Sequence, residues 1–275
     1  MRSILVVGLR EKDAGKTTLA LALISHLKDA GFKVCGFKPK AGNNFWYDYD
    51  VVCEALSQGR LYGKDAKLLT QASGVSLPEE VVNPIHRLWI DESLQAGPNG
   101  LPGFLADRVT LPETGRGFFL TLNMPMLRRY ADCSGLLASL RNSARLVAEV
   151  QSLKELNRAV SEFYSQAVRA AYGQVSRYEV LVVESYSDVA MPWEGLENLE
   201  AIFGVEPWRL CLYEPERYLT AVRMISQVRQ DIEVTANQVC RLVKPLAEVR
   251  LKPSTEAIEA LKAQVEPLLK DLNLA

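Results

Sequence analysis

The apolar positions of this chain fall into short continuous runs and longer helical periodicities. Ser3-Ile4-Leu5-Val6-Val7-Gly8 reads as a strand buried on both faces, because a strand inside a parallel sheet shows an unbroken apolar run rather than alternation. Leu19 to Ile24 then carries a helix, which Asp29-Ala30-Gly31 closes with a C′ glycine. Lys33 to Phe37 is a second strand, and a βαβ opening implies a parallel sheet with a right-handed crossover. Asn43 to Asp50 is a polar-aromatic loop leading into a helix from Val51, with Asp50 as its N-cap or first turn. A further helix is expected within Leu61 to Ser73, followed by a connection through the rigid Asn83-Pro84 turn.

The pattern then changes. His86 to Asp91, Phe104 to Leu111 and Gly117 to Asn123 read as short strands between Gly/Pro turns, a β-rich excursion at a sheet edge. Met126 to Gly173 reads as long and helical, with Leu146, Val150 and Leu153 at spacings of three and four. Tyr178 to Ser185 is a β-branched apolar run that ends in Glu184. Arg209 to Pro215 is another strand, followed by helices over Glu216–Val228 and Asp231–Leu246. A short strand over Glu248–Pro253 and a last helix from Thr255 to Leu272, capped by Ser254, complete the chain. His86, one of two histidines, is read as structural.

Composition narrows the class. Of the 275 residues, 48% are hydrophobic and 24% charged, enough for a sizeable core. A net charge of -1 gives no electrostatic case for a nucleic-acid or membrane partner. Along residues 126–173 the charges alternate in sign, as on a solvated face. The five cysteines form no Cys-x-x-Cys pair, which argues against a disulfide framework or a zinc site. With no signal-peptide pattern and no membrane-length apolar run, a cytoplasmic protein is expected.

The candidate chemistry lies between the first strand and helix. Strand, glycine-bounded loop, Gly15-Lys16-Thr17-Thr18 and helix form the context of a phosphate-binding loop. Backbone N–H groups on a tight curve, at the positive end of a helix dipole, cradle a polyphosphate. Gly8, Lys12, Asp13, Ala14, Gly15, Lys16, Thr17 and Thr18 are the candidate nucleotide-binding residues. Lys16 would reach the β/γ-phosphates and Thr17 would ligate Mg2+. Six residues separate Gly8 from Gly15, against four in the usual pattern. Glu184, at the end of an apolar strand, has the form of an acid directed at Mg2+, and Lys38 falls on the ligand-binding edge of a parallel sheet. Strand ends at Tyr213–Arg217 and Lys252–Ser254 are candidates for a base pocket.

In order, Gly15-Lys16-Thr17, Phe37-Lys38-Pro39, Asp50-Val51-Val52, Val82-Asn83-Pro84 and Val182-Val183-Glu184 resemble the dethiobiotin synthetase and cobyrinic acid amide synthase family. After Glu184 this chain has Ser185-Tyr186-Ser187-Asp188 where that family has a glycine-rich turn. The resemblance implies a three-layer α/β P-loop NTPase with a mostly parallel sheet. A single domain over 1–275 is expected, its residues 85–173 an elaborated insertion that a minimal dethiobiotin synthetase would not carry. It implies ATP and Mg2+ as cofactors, with Thr17, Asp50 and Glu184 as metal ligands. Lys16, Lys38 and Glu184 would be catalytic, Lys38 steadying an activated carboxylate on an unidentified small-molecule acceptor. The alternative is an ATP-driven homodimeric switch like the related ATPases of partitioning and metal-centre assembly. Those carry an extra lysine in the loop; here Lys12 stands four residues before Lys16, one short of that spacing.

Overall fold

A computed structural model describes residues 1–90, 100–111, 117–130, 133–228, 233–252 and 254–270 of an α/β protein. The chain divides into two compact units. The first comprises Met1–Pro39, Leu68–Ser76 and Val175–Ala275, and the second Lys40–Lys67 and Leu77–Gln174. The elaboration expected over 85–173 is thus larger as a compact unit, beginning directly after Pro39.

Six strands build the first unit: β1 (Arg2–Gly8), β2 (Val34–Phe37), β8 (Val180–Glu184), β9 (Leu199–Glu206), β10 (Arg209–Tyr213) and β11 (Ala247–Arg250). Their order is β11-β10-β9-β1-β8-β2. The β2, β8, β1 and β9 strands run parallel, while β10 and β11 join antiparallel. Ile4 to Val7 and Val180 to Val183 are fully buried, as their unbroken apolar runs require. Helix α1 (Lys16–Asp29) packs against β1, β2 and β8 and against α11 (Ala257–Lys270). It ends in a Schellman motif: Gly31 has φ 89° and donates to the Lys28 carbonyl, and Phe32 donates to that of Leu27. Ser254 Oγ accepts from the Glu256 amide just ahead of α11.

Two expectations for this unit need correction. The β9 strand is absent from the sequence reading, yet it flanks β1. The helix expected over Asp231–Leu246 is only α10 (Ala236–Cys240), opened by a Thr235/Gln238 capping box. After it, the Leu246 amide donates to the Leu212 carbonyl of β10, so the chain has already turned onto the sheet. Residues 231, 232 and 271–275 lie outside the described residues.

The second unit holds a sheet in the order β3-β4-β5-β6-β7, from β3 (Lys40–Asn44), β4 (Ile85–Trp89), β5 (Phe104–Thr110), β6 (Phe118–Asn123) and β7 (Leu146–Val150). The three strands read at 86–123 are therefore the centre of a separate sheet, not an edge excursion, and β4-β5-β6 are antiparallel. Helices α2 (Tyr49–Ser57), α4 (Glu79–Val82), α5 (Met124–Arg129), α6 (Cys133–Leu136) and α7 (Ala138–Ser143) belong here, with all but the last residue of α8 (Leu153–Val175). The α3 helix (Lys64–Ser73) crosses from this unit into the first. The long helix expected over 126–173 is broken by β7, because Leu146 to Val150 pair in parallel with β6 instead.

Buried charge organises this second core. Arg87 forms a two-pronged pair with Asp107, at 2.7 and 2.6 Å, and the Tyr164 hydroxyl donates to the same carboxylate at 2.8 Å. Arg108 is fully buried and donates to the carbonyls of Leu61, Asn83 and Pro84 at 2.9, 2.6 and 3.0 Å, and to Thr110 Oγ1 at 2.5 Å. Burial holds its guanidinium down to about 10, which leaves it charged at neutral pH. Because each orphaned buried acceptor costs about 1–3 kcal/mol, Arg108→Met is expected to destabilise this unit by at least ~3 kcal/mol. Urea denaturation measures this, and a loss under ~1 kcal/mol would mean that these carbonyls find other donors.

Candidate functional site

The first unit brings three sequence candidates to one sheet edge. Parallel pairing sets Val6 of β1 opposite Glu184 of β8, and Phe37 of β2 opposite Val183. Lys38 and Glu184 therefore leave adjacent strands at their carboxyl ends, where β1 also runs out into the loop before α1. In open parallel sheets this is the edge that binds ligands.

Gly8 is the tightest point of the loop. A Cβ there would stand 2.8 Å from the Arg10 carbonyl oxygen, 3.0 Å from Lys16 Nζ and 3.1 Å from Ala14 Cβ. The Lys16 ammonium therefore curls back over the start of the loop, against a position where only hydrogen fits. Asp13 and Gly15 both have positive φ, 50° and 93°, and Gly15 takes the left-handed conformation just before α1. Ala14 is buried, Lys12 and Asp13 are exposed, and Thr18 is half-buried. The Arg10 guanidinium donates to the Lys12 carbonyl at 2.7 Å, and the Leu9 amide donates to Val205 of β9 at 2.9 Å. These contacts give the two extra residues of the loop a defined course.

Glu184 is fully buried, and one of its oxygens gathers the cluster. Thr17 Oγ1 donates to Glu184 Oε1 at 2.9 Å, and Lys38 Nζ to the same oxygen at 2.7 Å. Lys38 is itself only 4% exposed, so this ion pair is withdrawn from water. Lys16 Nζ donates to the Ser187 carbonyl at 2.6 Å. Ser187 has φ 47°, a left-handed conformation that a glycine would reach without strain. The turn is pinned elsewhere: Ser185 Oγ donates to the Val189 carbonyl at 2.6 Å, the Tyr186 hydroxyl to Glu233, and the Ala236 amide to the Asp188 carbonyl. No side-chain pattern in the sequence marks Ser187, because it contributes a backbone oxygen.

Asp50 is exposed in the first turn of α2, in the second unit, and it is Asp48 that precedes the helix as N-cap. At the proposed base pocket, the Glu214 carboxylate accepts from the Glu216 and Arg217 amides and so caps α9 (Pro215–Val228). Tyr213 is buried beside Tyr218, with ring centroids 5.8 Å apart. The Lys252 amide donates to Gln264, and Pro253 lies outside the described residues. His86 is buried in the second unit with Nδ1 3.0 Å from Asn83 Oδ1. Among the described residues there is no group of three or more His, Cys, Asp or Glu side chains suited to a metal ion. Nor is any of their helices long and apolar enough to cross a membrane.

No family model matches this chain, and no curated protein matches it.

Removing one partner of a buried ion pair leaves an uncompensated charge, at a cost of about 3–5 kcal/mol, whereas replacing both by apolar groups costs far less. Glu184→Leu alone is therefore expected to be more destabilising than Lys38→Met/Glu184→Leu, in which most of the loss is recovered. Chemical denaturation of the four proteins of this cycle measures the coupling, and simple additivity would show that the two side chains do not support one another.

Proposed function

We propose that this chain binds ATP on a P-loop of three-layer α/β type and, with Mg2+, activates a carboxylate, carbamate or similar oxyanion by γ-phosphoryl transfer. The observation that carries the reading is the meeting of Thr17, from the start of α1, with Glu184, from the end of β8, at 2.9 Å. A hydroxyl after the loop lysine and an acid at the end of the neighbouring strand are the protein's usual share of a P-loop magnesium site. The donor set suits the ion. Both are hard oxygens, and adjacent ligands of an octahedral Mg2+, each at about 2.0–2.1 Å, lie about 2.9 Å apart. Magnesium completes its shell with water and phosphate oxygens, so two protein ligands suffice. Bound there, it would neutralise charge on the transferred phosphoryl group. Asp50 remains a candidate for a water-mediated ligand only through the family resemblance.

The chain's own residues would do the rest. The loop amides and the start of α1 supply donors and positive potential for a polyphosphate. Lys16, already turned over Gly8, supplies a point charge on the phosphates. Lys38 supplies a second charge where the acceptor oxyanion and γ-phosphate would meet, an electrostatic role that gains strength in a site withdrawn from water.

The switch remains the second reading, and one contact favours it. Lys16 ties the loop to the Ser187 carbonyl, so moving that ammonium towards a phosphate would release the turn after β8. ATP-dependent dimerisation without an acceptor would decide for it.

At about 4 Å and an effective dielectric near 20, one charge pair is worth about 4 kcal/mol. Lys16→Ala is expected to weaken ATP binding roughly a thousandfold on that scale. Calorimetry showing unchanged affinity would remove the phosphate-loop assignment.

Lys38→Met should leave the affinity for ADP without divalent metal nearly intact while slowing phosphoryl transfer by roughly 10²–10³-fold, the scale seen when one charge-stabilising donor is lost. ADP calorimetry beside single-turnover ATP cleavage tests this. Equal losses in both would make Lys38 a general nucleotide-binding lysine, and no loss in either would favour the switch.

A further inference from the structure

Glu184 Oε1 accepts from two donors that a metal-bound site would have to rearrange. Lys38 Nζ lies 2.7 Å from it and Thr17 Oγ1 2.9 Å. The ammonium therefore stands beside the hydroxyl–carboxylate edge on which a magnesium ion would sit. Both members of the ion pair are nearly inaccessible to water, 5% and 1% exposed at the side chain, so solvent screens the pair weakly.

A dication entering at this edge meets a cation that already uses the same carboxylate oxygen. Repulsion between them rises with the product of their charges and is larger where the dielectric is low. Glu184 contributes one negative charge against the three positive charges of the ammonium and the dication. A polyphosphate brings several further negative charges to the same place.

We propose that Lys38 is a built-in competitor of the divalent cation for Glu184, so that metal enters this site only together with a polyphosphate that supplies charge for both. This rests on the reading that Thr17 and Glu184 are metal ligands. It adds an order to the chemistry: metal alone is refused, and metal and nucleotide are taken as one unit. It also gives Lys38 two positions, on Glu184 before the metal–nucleotide complex enters and towards the phosphate oxygens afterwards. A four-carbon stem with a single ammonium can make that exchange, which a planar guanidinium locked in a fork could not.

The test uses Mn2+ as the probe, with free ion followed by electron paramagnetic resonance on the full chain without nucleotide. Wild type and Lys38→Arg, which keeps the charge, are expected to bind Mn2+ weakly. Lys38→Met is expected to bind it at least ~10-fold more tightly, because removing a nearby like charge is worth that much or more in a weakly screened site. The gain should vanish in Lys38→Met/Glu184→Gln. Wild type binding Mn2+ alone as tightly as Lys38→Met overturns the proposal, as does a gain that survives the loss of Glu184. If Lys38→Met fails to fold in metal-free buffer, thermal melts with and without Mn2+ decide. Restoration of a cooperative transition by Mn2+ supports the competition, and failure to restore it makes Lys38 a structural counter-ion. Calorimetry of Mg–ATP on wild type separates the two levels. No binding there removes the nucleotide reading itself, whereas binding there with no effect of Lys38→Met on Mn2+ removes only this inference.

Discussion

A fully buried carboxylate at the end of an inner strand is the constraint around which the first unit is arranged. Glu184 cannot be left there without compensation, since an isolated ionised group in the interior is far costlier than any single contact is favourable. Its partners come from both sides, Thr17 from the helix after β1 and Lys38 from the end of β2. The sheet order makes this arrangement available, because β8 lies between β1 and β2 and all three run parallel. Their carboxyl ends then share one edge, where Glu184 ends β8, Lys38 follows β2 by one residue and Thr17 arrives with the first turn of α1.

The loop before α1 meets a second constraint. It must bring Lys16 back over Gly8 although two residues longer than the usual phosphate loop, and it does so with left-handed residues at Asp13 and Gly15. The Gly15 conformation is free of cost, whereas that at Asp13 is tolerated because a short polar side chain can bond locally. Ala14 between them turns inward and is buried. The extra length is thus taken up by backbone curvature and one small buried side chain.

Much of this was legible in the sequence where function and pattern coincide. Strand-loop-helix at 3–24, the lysine after β2 and the acid after a β-branched run can each be read from local chemistry, and they meet. What was not legible depended on partners. The β9 strand carries Ala201 and Gly204 among its apolar residues, a composition that announces no strand until β1 and β10 flank it. In β7, Leu146 and Val150 stand four apart, which fits a helix as well as a strand, and only pairing with β6 decides. The β3 strand reads Lys-Ala-Gly-Asn-Asn, nearly all polar or small, because it closes one edge of its sheet. That edge strand is why the second unit begins at Lys40 and not where apolar strands first become visible, near residue 85.

The two units also hold buried charge in opposite ways. Arg108 gives its rigid fork to four backbone carbonyls, the longest contact being that to Glu80, and to a threonine hydroxyl. The carbonyls are fixed by the chain's own course, so those contacts cannot be exchanged without moving backbone. Glu184 instead accepts from a hydroxyl that rotates about one bond and from an ammonium on a flexible stem. Both of these donors sit on side chains that can turn away from Glu184 Oε1 without moving a strand. A charge held as Arg108 is held specifies a fold. A charge held as Glu184 is held leaves the same fold intact while its partner changes, which is the physical requirement for a site that takes up a ligand.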